Sequence, residues 1–109
     1  MKQEDKQLIC GYMNWDFDDD ANLCFRTDAD GDPCMAHFDL NDAALCVKKM
    51  KGCGDDWPVF FSFAMCVYEG EMYGHEKGYD YEYIYWLFNA DNFFSAMVEW
   101  LRRKRYERV

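Results

Sequence analysis

The chain reads as an α+β domain: a mainly antiparallel sheet of about five strands with two helices packed on one face, in the order β-β-β-α-β-β-α. Three observations predict it. Apolar residues alternate over 6–17 and 79–88, the run over 59–68 is apolar on both faces, and two helical stripes follow good capping residues near 41 and 89. At 109 residues, half of them apolar and 19% aromatic, the chain is expected to form one compact domain over 1–109.

Residues 6–17 (KQLICGYMNWDF) alternate as a strand, with Ile9, Met13, Trp15 and Phe17 on one face and Leu8, Cys10 and Tyr12 on the other. Gly11 would mark a bulge or a close backbone approach. The run DDDAN breaks the pattern as a loop. A second strand covers 23–27. Asp30-Gly31 then signals a hairpin, because Gly accepts the positive φ that such turns require. Pro33 limits where the return strand begins, and 34–40 is that strand, with Cys34, Ala36, Phe38 and Leu40 inward.

Asn41 is the expected N-cap of the first helix. Ala43, Cys46, Val47 and Met50 form its apolar stripe, Lys48, Lys49 and Lys51 suit its last turn, and Gly52 suits the position beyond. CGDDWP reads as a loop. Residues 59–68 (VFFSFAMCVY) read as a central strand and EGEMYGHEKG as a polar connection. Residues 79–88 (YDYEYIYWLF) give the next strand. Its one face is a row of Tyr79, Tyr81, Tyr83 and Tyr85; the other holds Asp80, Glu82, Ile84, Trp86 and Phe88. Asn89 or Asp91 caps a final helix to about Tyr106, with Phe94, Met97, Val98 and Leu101 inward and four basic residues, 102–105, at its carboxyl end.

Charge bounds the function. The net charge is −9, but residues 1–56 carry 13 acids against 6 bases, 57–98 carry 6 against 1, and 99–109 carry 2 against 5. A surface of this kind repels nucleic acid and anionic membrane and attracts basic protein surfaces. No apolar run approaches the length of a membrane span, and the amino terminus lacks the basic and apolar regions of a signal peptide, so a cytoplasmic location is expected. The six cysteines show no C-x-x-C spacing and are expected mostly as buried thiols.

The densest acidic stretch, 16–32 (DFDDDANLCFRTDADGD), holds Asp16, Asp18, Asp19, Asp20, Asp28, Asp30 and Asp32 against the single base Arg26. Placed on a calcium-binding helix–loop–helix, Asp28, Asp30, Asp32 and Asp39 would take ligand positions. The position that must turn sharply is Pro33, however, and the flanks read as strands. No metal or cofactor is expected. His37 and His75 read as surface histidines, and no nucleophile elbow, metalloprotease or phosphate-loop motif is present, so no catalytic residue is assigned.

What remains is fixed negative charge on a small fold, with Trp15 and the tyrosine row Tyr79, Tyr81, Tyr83 and Tyr85 as hydrophobic anchors. In size and charge the chain resembles the small acidic anti-defence proteins of phages and mobile elements, such as anti-CRISPR and anti-restriction proteins. That resemblance implies an inhibitor that binds the basic surface of a nucleic-acid-handling enzyme by imitating DNA or RNA, without itself binding nucleic acid or membrane. An immunity protein for a nuclease toxin would use the same surface. A metal-binding or thiol-dependent small enzyme is the reading from another class. An uncovered sheet edge would also allow a homodimer.

Overall fold

The computed structural model describes residues 1–27, 30–71 and 80–107, with the side chains of 71, 80, 81 and 105–107 outside the description. Its elements are α1 (Gln3–Met13), β1 (Asp16–Asp18), β2 (Leu23–Thr27), β3 (Pro33–Met35), α2 (Leu40–Lys51), α3 (Asp56–Glu71), α4 (Asp80–Leu87) and α5 (Ala90–Glu107). The protein is mostly helical. Its described sheet is a three-stranded antiparallel meander in the order β1-β2-β3, not a five-stranded sheet with two helices.

Three segments expected as strands are helices, and each has a physical reason. In α1, Leu8, Ile9, Tyr12 and Met13 alternate loosely, but they also recur at helical spacing. Glu4 and Asp5 favour the amino end of a helix, and Asn14 closes it in the left-handed region (φ 58°), its N–H donating to the Cys10 carbonyl. A run that is apolar on every side fits a buried helix as well as a central strand. In α3, Phe60, Ala64 and Tyr68 turn inward at i, i+4 and i+8. Pro58 lies in the first turn of α3, where its missing N–H costs nothing. In α4, Tyr83 and Leu87 are buried, four residues apart as on one face of a helix.

The hairpin was legible. β2 occupies the expected residues, Gly31 takes φ 87°, and the return strand pairs Arg26 with Cys34 and Thr27 with Pro33. β3 ends at Met35, well short of residue 40, because Asp39 already caps α2: its carboxylate accepts from the Asp42 N–H at 3.0 Å. The cap is therefore Asp39, two residues before the expected Asn41. α5 begins as read, with the Asn89 carboxamide oxygen accepting from the N–H groups of Asp91 and Asn92.

The main core lies among the helices. Phe60 of α3, Phe94 and Met97 of α5, Met50 of α2 and Ile9 of α1 are all but inaccessible to solvent. Phe60 meets Phe93 edge to face and Trp100 at a tilt, at ring separations of 5.3 and 5.4 Å. A second, much smaller cluster of Cys10, Cys24 and Ala36 lies beneath the sheet, flanked by Trp15, Phe17 and Phe38. Cys10 of α1 and Cys24 of β2 are joined by a disulfide, which the expectation of buried thiols did not include. No helix is long and apolar enough to cross a membrane among the described residues.

Candidate acidic interface

The carboxylates of 16–32 are displayed by the sheet and its turns. In β1 the two-residue period turns Phe17 toward the small cluster and leaves Asp16 and Asp18 exposed on the opposite face. Their Cα atoms are about 7 Å apart, twice the axial rise per charge along one DNA strand. The Asp18 carboxylate shapes the β1–β2 turn by accepting from the N–H groups of Asp20 (3.0 Å) and Ala21 (3.1 Å). Asn22 completes the turn in the left-handed region. Asp19 accepts from the Gln7 carboxamide at 2.9 Å, which ties the turn to α1. Asp20, Asp30 and Asp32 are exposed, and Asp28 lies outside the described residues.

Arg26, the single base of the stretch, is turned away from this display. Its Nε donates to Asp42 Oδ1 at 2.7 Å, and Asp42 is 1% exposed. The hydrogen bond to Asp42 raises the guanidinium above its ordinary pKa, against the opposing effect of burial. The other Asp42 oxygen accepts from the backbone N–H groups of His37 and Phe38 at 2.8 and 2.7 Å. One buried carboxylate thus holds the sheet, the 36–39 connection and α2 together while it neutralises Arg26. Lys6 supplies a cation beside the turn, its Nζ donating to the Asn22 carbonyl at 3.0 Å.

The hydrophobic anchors do not form as expected. On α4, alternate residues are rotated by about 200°, so the tyrosine row does not exist as one face. Tyr83 is 2% exposed, with its hydroxyl donating to the Phe61 carbonyl at 2.6 Å, whereas Tyr85 is 83% exposed. Tyr79 lies outside the described residues, and so does the side chain of Tyr81. Trp15 is half-buried and packs against both apolar clusters, as a structural bridge between them.

A second polar cluster was not visible in the sequence. Asp56 at the start of α3 accepts from the Tyr12 hydroxyl at 2.8 Å and from Lys104 Nζ at 2.5 Å. Lys104 also lies 4.9 Å from the Trp100 ring centre. Burial, reinforced by Asp56, pushes the Tyr12 phenol far above its ordinary pKa. The carboxylate is met by a neutral phenol and an ammonium, so the cluster is a tie between α1, α3 and α5. Its members are 44 and 48 residues apart, and no local spacing could have joined them.

Among the described residues, no group of three His, Cys, Asp or Glu side chains could hold a metal ion. No protein-family model, curated protein or solved structure matches the chain.

Proposed function

We propose that this protein is a binding module that inhibits a nucleic-acid-binding enzyme by occupying its basic groove with fixed carboxylates. The observation that carries this reading is the withdrawal of Arg26 into a half-buried pair with the buried Asp42, while Asp16, Asp18, Asp19 and Asp20 stay at the surface of one short strand and its turn. Charges held on a hydrogen-bonded turn lose little conformational freedom on binding, and association between opposite surfaces is fast and salt-sensitive.

The partner in this reading is a basic protein surface, and the site of action is the cytoplasm. The Cys10–Cys24 disulfide would there face reducing thiols, from which exposures of only 2% and 1% shield it. Pairing with a second copy through the sheet is disfavoured. One edge strand carries Asp16 and Asp18, the other begins at Pro33, and each is three residues long.

The test is capture from a host lysate on the immobilised protein, followed by salt titration. The expected partner is a basic nucleic-acid-binding enzyme that duplex DNA or RNA displaces. With Asp18→Asn, Asp19→Asn and Asp20→Asn combined, the dependence of log affinity on log salt should become shallower. An unchanged slope with an unchanged affinity would sink the proposal.

A further inference from the structure

At the helical side of the molecule, α2, α3, α4 and α5 enclose an open groove of about 540 Å³ that the acidic display does not use. Leu40 and Val47 of α2, Trp57 and Phe61 of α3, Ile84 of α4 and Phe88 just beyond that helix line it. Tyr83 and Leu87 of α4 are buried, yet Phe88 is 65% exposed, Leu40 52% and Ile84 42%. A pocket of a few hundred Å³ with aromatic and aliphatic walls is the usual form of a small-ligand site.

The groove's surroundings select the ligand's charge. One helical turn beyond Val47 stands Lys51, and one turn beyond Ala44 stands Lys48, both exposed. Neither has an ion-pair partner among the described residues, whereas Arg26, Arg102 and Lys104 each have one. Against a net charge of −9, Lys48 and Lys51 put two cations without an ion-pair partner among the described residues in the last turns of α2, with Asp55 of the following loop the exposed acid at the same end. A second copy of the chain is a poor occupant, because two molecules of that charge repel each other.

We infer that the groove binds a single-chain anionic amphiphile of the fatty-carboxylate class, with its alkyl chain on Val47, Trp57, Phe61, Ile84 and Phe88 and its head group at Lys48 and Lys51. This goes beyond the proposed inhibition and does not depend on it. The alkyl chain supplies the affinity: each further methylene buried tightens binding about threefold to fourfold. The lysines supply the choice of head group.

The test is titration of the intact protein with dodecanoate and with dodecyltrimethylammonium, below their micelle-forming concentrations. Fluorescence is followed as the difference between the parent and Trp57→Phe. Saturable binding of dodecanoate, about fivefold tighter than the cation, is expected. The overall charge of −9 favours the cation, so this preference has to come from the local lysines. The combined Lys48→Gln and Lys51→Gln variant should reverse the order, and Phe88→Asp should lose both ligands while its circular dichroism stays that of the parent. Four results would overturn the inference: no saturation by dodecanoate, equal or tighter binding of the cation by the parent, retention of binding in a folded Phe88→Asp and Ile84→Asp double variant, or saturation by an acidic amphipathic helical peptide alone.

Discussion

The acidic sheet and the helical bundle are held together in different ways. Among the described residues, the bundle's cluster contains 16 buried residues and the cluster beneath the sheet three, two of which are the cysteines of the Cys10–Cys24 disulfide. The bundle therefore draws its stability from apolar area. The sheet draws its own from a few specific links: the disulfide, the Arg26–Asp42 pair and the Asp18 turn. Short strands with little area behind them can be given over to surface charge, provided those links hold.

The largest test of this contrast is in the bundle. Phe60→Ala should cost about 4 kcal/mol in urea unfolding, since a fully buried aromatic is lost from between Phe93 and Trp100. Native-state hydrogen exchange should then accelerate throughout the helices. On the sheet side, Asp42→Ala should cost about 3 kcal/mol, near the lower end for a broken buried pair. Arg26 is 19% exposed and can recover some hydration. The exchange of the His37 and Phe38 amides, which lose their acceptor, should rise first. Equal acceleration in α3 would erase the distinction between the two regions.

Replacing the disulfide with Cys10→Ala and Cys24→Ala should cost about 2 kcal/mol, since the bridge closes a short loop with a sequence separation of 14. A dithiol reductant should destabilise the parent by a similar amount and leave the double variant unchanged. A count of two more free thiols in the denatured parent after reduction than before would verify the bridge.

Alkaline pH should separate the regions more gently. Burial pushes the Cys46 thiol from its ordinary 9.0 up to about 12, and it pushes the phenols of Tyr12 and Tyr83 well above their ordinary 10.0. Each group holds its proton more tightly in the folded chain than in the unfolded one. Their stabilisation is complete below the unfolded values and is lost as pH rises from about 9, through Cys46 first and the phenols later. All three lie in the bundle or its ties. Urea midpoints should fall above that pH, and Cys46→Ala should flatten the early part of the decline.

What the sequence disclosed cuts across that line. The hairpin at Asp30-Gly31, β2, α2 and α5 were readable from local signals: a positive-φ Gly, the Asn89 cap of α5 and, for α2, an apolar stripe closed by Gly52, although its cap is Asp39 and not Asn41. α1, α3 and α4 were not. Aromatic-rich apolar runs satisfy the strand and helix periods equally over ten residues, and only packing against α5 decides between them. Of the candidate site, the exposure of Asp16, Asp18, Asp19 and Asp20 was readable from charge alone. The loss of the tyrosine face follows directly from the misread period. The role of Asp42 was hidden, because a first-turn aspartate looks the same whether it faces the helix dipole or the half-buried Arg26.

The smallest effect on stability is also the one that bears most on function. Combining Asp18→Asn, Asp19→Asn and Asp20→Asn should change the unfolding free energy in urea by no more than about 0.5 kcal/mol, as for surface changes generally. Asn keeps an oxygen where Asp18 accepts from the Asp20 and Ala21 N–H groups, so the turn survives while its charge does not. At position 19 the carboxamide retains an acceptor for Gln7. Easing the repulsion among three adjacent carboxylates opposes whatever hydrogen-bond strength is lost. A loss well beyond 0.5 kcal/mol would mean that the charges themselves support the fold, and the variant would no longer isolate binding. A near-zero change would leave partner affinity and its salt slope as direct readings of the acidic surface.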